Sequence, residues 1–189
     1  MEIKNLAKNQ VIKSYNFARL SDFVYSESVT VEQYEKLKND YTRVVFKSSD
    51  QILYINTQFK LNENDLIFCN SNFIESLFKE LNKIDNLQNL KLITNQTDRI
   101  IDKKIFNTKP KCISEWYSIN VNYDHKDLIP IPLGLANDYS KKNLLYDDYK
   151  NLSVNKDKQN FIYSNFQVNT NYFHRTKVIN KLKGNPLVV

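Results

Sequence analysis

The chain has 189 residues, of which 41% are hydrophobic and 25% are charged. This balance is that of a globular protein and excludes disorder along the whole chain. The length allows one well-filled core, or one domain and the beginning of a second.

Cysteines and apolar stretches narrow the class of protein further. The two cysteines, Cys69 and Cys112, both lie in apolar runs, which favours buried, reduced thiols over a disulfide framework. The first 20 residues carry Lys and Asn throughout and lack the apolar core of a secretory signal. No segment approaches the roughly 20 apolar residues of a membrane span, so we expect a cytoplasmic protein.

The net charge of +6 is compatible with a polyanionic partner such as nucleic acid. Most of the basic residues are Lys spread along the chain, and Arg occurs at four positions: Arg19, Arg43, Arg99 and Arg175. Because Arg is the residue expected for phosphate and guanine contacts, this distribution favours a solvated surface over a specific nucleic-acid site.

The first 55 residues predict strands and one helix. Short runs rich in β-branched and aromatic residues indicate three strands: Asp22–Ser26, Val44–Phe46 and Ile52–Ile55. Thr30 is expected to cap a helix from Val31 to Lys38, with Gln33 close to the capping-box position. We interpret residues 1–42 as a peripheral segment.

The clearest unit is a strand, a helix and a strand in succession. Leu66–Cys69 is an apolar strand, Asn70–Asn72 supplies loop and cap residues, and apolar residues then recur at helical spacing from Phe73 to Ile84. Leu90–Thr94 is the next apolar strand. Continuously apolar strands joined by a helix are typical of a parallel sheet covered on both faces. We therefore predict an α/β fold, a Rossmann-like parallel sheet flanked by helices.

Weaker elements follow this unit. Asp98–Phe106 predicts a short helix, and Cys112–Tyr117 predicts a third strand. The two prolines within Leu128–Leu133 are incompatible with a central strand and indicate a rigid loop or an edge. Gly134 follows, where a positive φ or a close backbone approach is allowed.

A domain boundary is predicted near residue 155. Residues 136–159 are polar and predict a linker, so that residues 1–155 form the first domain and residues 156–189 begin a second. The second domain starts with the predicted strand Phe161–Tyr163 and the predicted helix Thr170–Leu182.

The end of the chain predicts one more strand, Leu187–Val189, after a helix stop at Gly184. This second strand–helix–strand unit has no partner layer in the sequence. It either packs on the first domain or belongs to a longer protein, and we expect the longer protein.

Polar side chains follow the predicted strand Leu90–Thr94 at its carboxyl end. They are Asn95, Gln96 and Asp98. In open α/β sheets, ligands bind outside the carboxyl ends of the strands. Asp98 is therefore either the cap of the following helix or a carboxylate that faces a polyol substrate.

Further side chains are candidates with two readings each. Trp116 either fills the core or stacks on a sugar face. Asn120 lies shortly after it in the sequence. His125 lies in a polar loop and is either a surface residue, which is the more typical case, or a catalytic one. Arg175, near the start of the last helix, is either a surface charge or completes an anion site with the free N–H groups.

As an ordered set, three segments resemble exostosin-like glycosyltransferases, in particular the short group found in large viruses, phages and some bacteria. The segments are Leu92–Asp98, Ile113–Asn120 and Ile129–Leu135. Phe161–Phe166, followed by Asn169–Asn171 and Arg175, resembles the opening of that group's second domain.

The resemblance implies a GT-B-type fold of two Rossmann-like lobes, which transfers a sugar from a nucleotide sugar to a glycan acceptor. It implies that Asp98 is catalytic and that Arg175 approaches the donor diphosphate, where positive charge favours the leaving group. The implied acceptor-side residues are Asn95, Gln96, Trp116, Asn120 and Gly134. We expect no cofactor beyond the nucleotide-sugar substrate and no metal site, and the oligomeric state stays open.

Two other functions remain as alternatives. The first is a non-catalytic module that binds a glycan or a partner protein. The second is a nucleic-acid-binding protein, which the charge and the 12 Tyr and 11 Phe residues favour. Most of these aromatic residues lie in apolar runs, which suits a core better than a base-stacking platform.

Overall fold

A seven-stranded sheet forms the centre of the computed structural model, which describes residues 12–135, 146–150 and 171–186. The chain divides into two units, Met1–Asn151 and Leu152–Val189. The first unit contains, in chain order, α1 (Ser14–Leu20), β1 (Phe23–Thr30), α2 (Val31–Leu37), β2 (Thr42–Lys47), β3 (Gln51–Asn56), β4 (Leu66–Asn70), a 3₁₀ turn (Ser71–Phe73), α3 (Ile74–Leu81), β5 (Leu90–Asn95), α4 (Lys103–Phe106), β6 (Ile113–Ser118), β7 (Leu128–Pro130) and α5 (Tyr146–Lys150). The second unit contains α6 (Tyr172–Leu182).

The strand order is β2-β3-β1-β4-β5-β6-β7. From β1 to β7 all neighbours are parallel, which confirms the predicted Rossmann-like α/β class. β3 and β2 extend the sheet with antiparallel pairing. The short connection between β2 and β3 explains the antiparallel pairing of these two strands, because a tight turn joins antiparallel neighbours.

β1 is an interior strand, so the interpretation of residues 1–42 as peripheral is wrong for this part of the chain. It pairs with β3 on one side and β4 on the other, and six of its eight side chains are buried. The consecutive polar residues Ser26, Glu27 and Ser28 lie inside it. They interrupt the apolar pattern by which a buried strand is normally identified.

Helices cover both faces of the sheet. On one face, Ala18 of α1 packs against Phe68, and Tyr34 of α2 packs against Ile52. On the opposite face, Leu77 of α3 belongs to the largest apolar cluster. This three-layer arrangement buries both sides of the parallel strands.

Two of the predicted helix starts have different outcomes. Thr30 caps α2 as predicted, since its hydroxyl accepts from the Gln33 N–H at 3.0 Å while the Gln33 side chain accepts from the Thr30 N–H at 2.9 Å. The helix predicted from Asp98 begins later. Asp102 is its cap and accepts from the Ile105 N–H at 2.8 Å. Ile101 instead forms an isolated parallel bridge with Val121, which holds the preceding segment extended.

The proline-containing segment lies at the other end of the strand order from β2. β7 is short and pairs with β6, consistent with the prediction of an edge. Gly134 follows with φ of +73°, and a Cβ at this position would lie 2.0 Å from the carbonyl oxygen of Ile12. The glycine therefore permits both the left-handed backbone and the close contact.

The last predicted helix is α6, and Gly184 follows it with φ of +78°. Most of the predicted linker and the predicted strands Phe161–Tyr163 and Leu187–Val189 lie outside the described residues. Within the linker range, Tyr146–Lys150 forms α5 instead of an irregular segment.

Candidate functional site

The carboxyl ends of β1 and β4 lie side by side at a topological switch point. After β1 the chain continues into α2 on one face, and after β4 it continues through Ser71 into α3 on the other. Adjacent strands whose connections leave in opposite directions open a crevice at their carboxyl ends, where ligands of α/β proteins bind. We therefore take this edge as the candidate site.

Hydroxyl and amide side chains from β1 and β4 line the edge. The Asn70 N–H donates to the Ser26 hydroxyl at 3.0 Å, and the Asn70 amide nitrogen lies 3.4 Å from the Ser28 hydroxyl. All three residues are buried. They form a polar row in the otherwise apolar interior of the sheet.

Gln96, the residue directly after β5, extends this row. Its side chain accepts from the Ser28 N–H at 2.7 Å and donates to the Ser28 carbonyl at 2.9 Å, as a further strand would. The Gln96 backbone has φ of +77°, and Asn120, at the end of β6, has φ of +55°. A left-handed backbone is common for Asn but uncommon for Gln, so Gln96 is the strained residue of the two. The bonds to Ser28 help to hold Gln96 in this conformation.

Asn95 has an unsatisfied donor. It is fully buried, and its side-chain oxygen accepts from the Gln96 N–H at 2.5 Å. Its Nδ2 atom is buried and has no hydrogen-bond partner among the described residues. A buried unpaired amide is costly and marks a place where a missing partner could bind.

Charged residues flank the polar row. Asp98 is exposed, two positions after Gln96. Arg99 forms a bidentate ion pair with Glu75 in the first turn of α3, with one nitrogen–oxygen distance of 2.9 Å. This pair ties the loop after β5 to the helix that follows β4.

The sulfur closest to this edge is not a nucleophile. Cys69 lies one residue before Asn70, and its sulfur is 3.4 Å from the Ser26 hydroxyl. Burial raises the pKa of the Cys69 thiol to about 12. The thiol is therefore protonated at neutral pH, and a thiol in that state reacts poorly. Cys69 and Cys112 are both free.

Trp116 lies in the core, so its assignment as an acceptor-stacking residue requires correction. The ring is fully buried and packs edge-on against Phe78 at 5.3 Å and face to face with Phe106 at 6.1 Å. Its N–H donates to the Thr94 hydroxyl at 2.8 Å. Because the ring is fully buried and its polar atom is hydrogen-bonded, no surface of Trp116 is left for a sugar.

The remaining predicted residues lie in three places. Asn120 is exposed and donates to the Thr97 carbonyl at 3.2 Å, which joins the loops after β5 and β6. Gly134 packs against Ile12 in the first unit. Arg175 is the fourth residue of α6, in the second unit, and is partly exposed.

Sequence reasoning missed Ser28, Asn70 and the Arg99–Glu75 pair as members of this edge. A signal for Ser28 exists, because polar residues at the end of a strand would point to the rim once the strand is known to be interior. The role of Glu75 has no such local signal, since its partner lies 24 positions away.

The chain matches no protein-family model, and no curated protein is significantly similar to it. Among the residues the structure describes, no helix has the length and apolar character to cross a bilayer. Within the same residues, no group of three or more His, Cys, Asp or Glu side chains is arranged to hold a metal ion.

Proposed function

We propose that this chain forms the acceptor-side lobe of a nucleotide-sugar-dependent glycosyltransferase and that sugar hydroxyls bind at the carboxyl edge of β1, β4 and β5. The observation that carries the proposal is the buried Nδ2 donor of Asn95, which has no partner among the described residues beside a row of hydroxyl and amide groups. A sugar hydroxyl would supply the missing acceptor.

The chemical character of the edge supports a polyol ligand. Ser28, Asn70, Asn95 and Gln96 are neutral, and each carries groups that donate and accept hydrogen bonds. Sugar hydroxyls have the same dual capacity. Precisely placed neutral polar groups are what a saccharide site needs for orientation and specificity.

Asp98 is the residue proposed to act in the transfer step. Its exposed carboxylate follows the polar row. It would accept the proton of the acceptor hydroxyl as that oxygen attacks the anomeric carbon and the nucleoside diphosphate leaves. Arg175 would stabilise the charge on the departing diphosphate. Trp116 has no part in this scheme, because its ring packs in the core and its N–H already donates to Thr94.

Saccharide binding tests the proposal directly. Saturation-transfer NMR with neutral oligosaccharides should give saturable signals from the native chain. Asn95→Asp, which replaces the unpaired donor by an oxygen, should weaken binding at least about tenfold, the effect of a lost hydrogen bond to a buried group. Asp85→Ala, an exposed carboxylate at the opposite end of β5, is the matched control and should bind as the native chain does.

The catalytic role of Asp98 requires a second readout. In a protein that includes both lobes, Asp98→Ala should lower the rate of nucleoside diphosphate release by about 10²–10⁴-fold, the usual contribution of a general base, with saccharide binding retained. A native rate in the variant would remove Asp98 from the mechanism. Absence of any saccharide binding by the native chain would overturn the proposed function itself.

A further inference from the structure

A second polar pocket lies at the opposite end of β1 from the carboxyl edge. It has a volume of about 290 Å³ and opens between the end of α1, the amino end of β1 and the carboxyl end of β3. The polar residues that line it are Arg19, Ser21, Asp22, Asn39, Thr42, Tyr54 and Asn56.

Beneath this pocket lies a carboxyl group that is completely buried. Glu27 sits in the middle of β1 and is 0% exposed. Its Oε2 atom accepts from the Arg19 guanidinium and from the Tyr54 hydroxyl, the latter at 3.1 Å, and both of these partners line the pocket. Its Oε1 atom is buried and has no hydrogen-bond partner among the described residues. An incompletely satisfied buried carboxylate is unfavourable.

Protonation removes the free-energy cost of burying a charged carboxylate. Burial raises the pKa of Glu27 to about 7, against the opposing effects of Arg19 and Tyr54. The protonated carboxyl no longer neutralises Arg19, whose guanidinium then presents its charge to the pocket. The Arg19 carbon centre lies 4.9 Å from the Tyr15 ring, which holds the cation from the same helix.

Two side-chain amides are the further donors that the described lining offers a ligand, since its Ser and Thr hydroxyls donate to backbone carbonyls. The side-chain oxygen of Asn39 accepts from the Tyr41 N–H at 2.9 Å, and that of Asn56 accepts from the Gln58 N–H at 3.1 Å. With each oxygen engaged by backbone, the NH₂ group is what each amide can offer a ligand. Asp22, a carboxylate in the described part of the lining, accepts from the Leu66 N–H at 2.8 Å.

We propose that this pocket binds a small oxyanion, a carboxylate or a tetrahedral anion such as sulfate, on Arg19, and that binding is coupled to proton uptake by Glu27. The titratable or charged groups near Glu27 are Arg19 and Tyr15 on α1, Tyr54 on β3 and Asp22 at the pocket rim. Of these groups, Glu27 is the one whose pKa burial raises to about 7. This site is independent of the saccharide edge.

Sulfate is a suitable probe, because it remains a dianion between pH 6 and pH 8. In NMR titrations of the full chain at constant ionic strength, the sulfate Kd should be about tenfold lower at pH 6 than at pH 8. The factor follows from a protonated fraction of Glu27 that falls from about 0.9 to about 0.1. A parallel titration with acetate distinguishes the two ligand chemistries, and saturation by at least one of them is required.

Four variants identify the residues. Glu27→Gln should bind with the same Kd at both pH values, and Arg19→Met should lose saturable binding. Lys79→Met, which removes an exposed cation on α3, should behave as the native chain does. Should Glu27→Gln fail to fold, Tyr54→Phe provides the second test. It removes a hydrogen bond that favours the charged carboxylate, so the midpoint of the pH dependence should move upward.

Three results would overturn the proposal. The first is no saturable binding of either anion by the native chain at pH 6. The second is binding that survives in Arg19→Met, and the third is a native Kd that is equal at pH 6 and pH 8.

Discussion

At the scale of single residues, Glu27 links the pH of the solution to the stability of the fold. Its carboxyl group has an ordinary pKa of 4.5, and burial raises the pKa to about 7 in the folded chain. Between these two values the folded state holds a proton that the unfolded state releases. The free energy of unfolding therefore decreases as the pH rises through this window.

The size of this pH-dependent change in unfolding free energy can be tested with one isosteric substitution. Relative to Glu27→Gln, the native chain should lose about 3 kcal/mol of unfolding free energy between pH 4.5 and pH 7.5, from the shift in pKa and the linkage relation. Urea unfolding at several pH values measures it, and the comparison cancels the contribution of all other groups. Parallel pH profiles for the two proteins would mean that folding does not raise the pKa of Glu27, and this account would then be wrong.

At the scale of elements, β2 combines an exposed apolar edge with features that discourage pairing. Val44, Val45 and Phe46 are all exposed, and in the described chain β2 pairs only with β3. Arg43 and Lys47 flank the apolar residues, and the register shifts between Val44 and Phe46. Edge cations and bulges are the usual means by which natural sheets avoid edge-to-edge association.

Removal of the two cations should therefore promote association. The double variant Arg43→Thr, Lys47→Thr should form dimers or larger species at concentrations where the native chain does not, with a change in unfolding free energy of less than about 0.5 kcal/mol per exposed site. Light scattering across a concentration series measures this. The charge-matched control is Lys79→Thr, Lys126→Thr, which alters exposed residues away from β2. Equal scattering from both double variants would assign the effect to net charge and not to the edge.

At the scale of the whole molecule, local patterns predicted the elements and failed on their placement. The unit β4–α3–β5 was predictable because its apolar spacing is strong within about 30 residues. The interior position of β1 was not, since it depends on pairing with β4, which lies more than 40 positions further along the chain. Pairing across such distances leaves no periodic signal in the sequence.

The functional residues show the same difference between what local patterns predict and what depends on the folded chain. The residues after β5 were predictable from the general rule for carboxyl ends of parallel strands. The environment of Glu27 was not, because Arg19 and Tyr54 come from different elements and the burial of the carboxyl group requires all of them in place. Trp116 was ambiguous for the same reason, since its enclosure by Phe78 and Phe106 depends on helices that the strand itself does not specify.

The enclosure of Trp116 makes it a probe of the whole first unit, because it is the single Trp of the chain. Its emission in the native protein should be blue-shifted and only weakly quenched by acrylamide, since the ring is fully buried. Emission and quenching should both change at the urea concentration at which the sheet unfolds. Saturating oligosaccharide should leave both unchanged, because the ring lies in the core and not at the carboxyl edge.

A matched variant calibrates this measurement. In a Trp116→Phe background, Ile100→Trp places an indole at an exposed position in the loop that follows the candidate site. Its emission should be red-shifted and readily quenched, and because Ile100 lies next to Arg99 it should respond to any ligand that binds at the edge. Native Trp116 that is quenched as strongly as this variant would show that α3 and α4 do not cover the sheet. The three-layer arrangement, and with it the crevice between its two helical faces, would then be wrong.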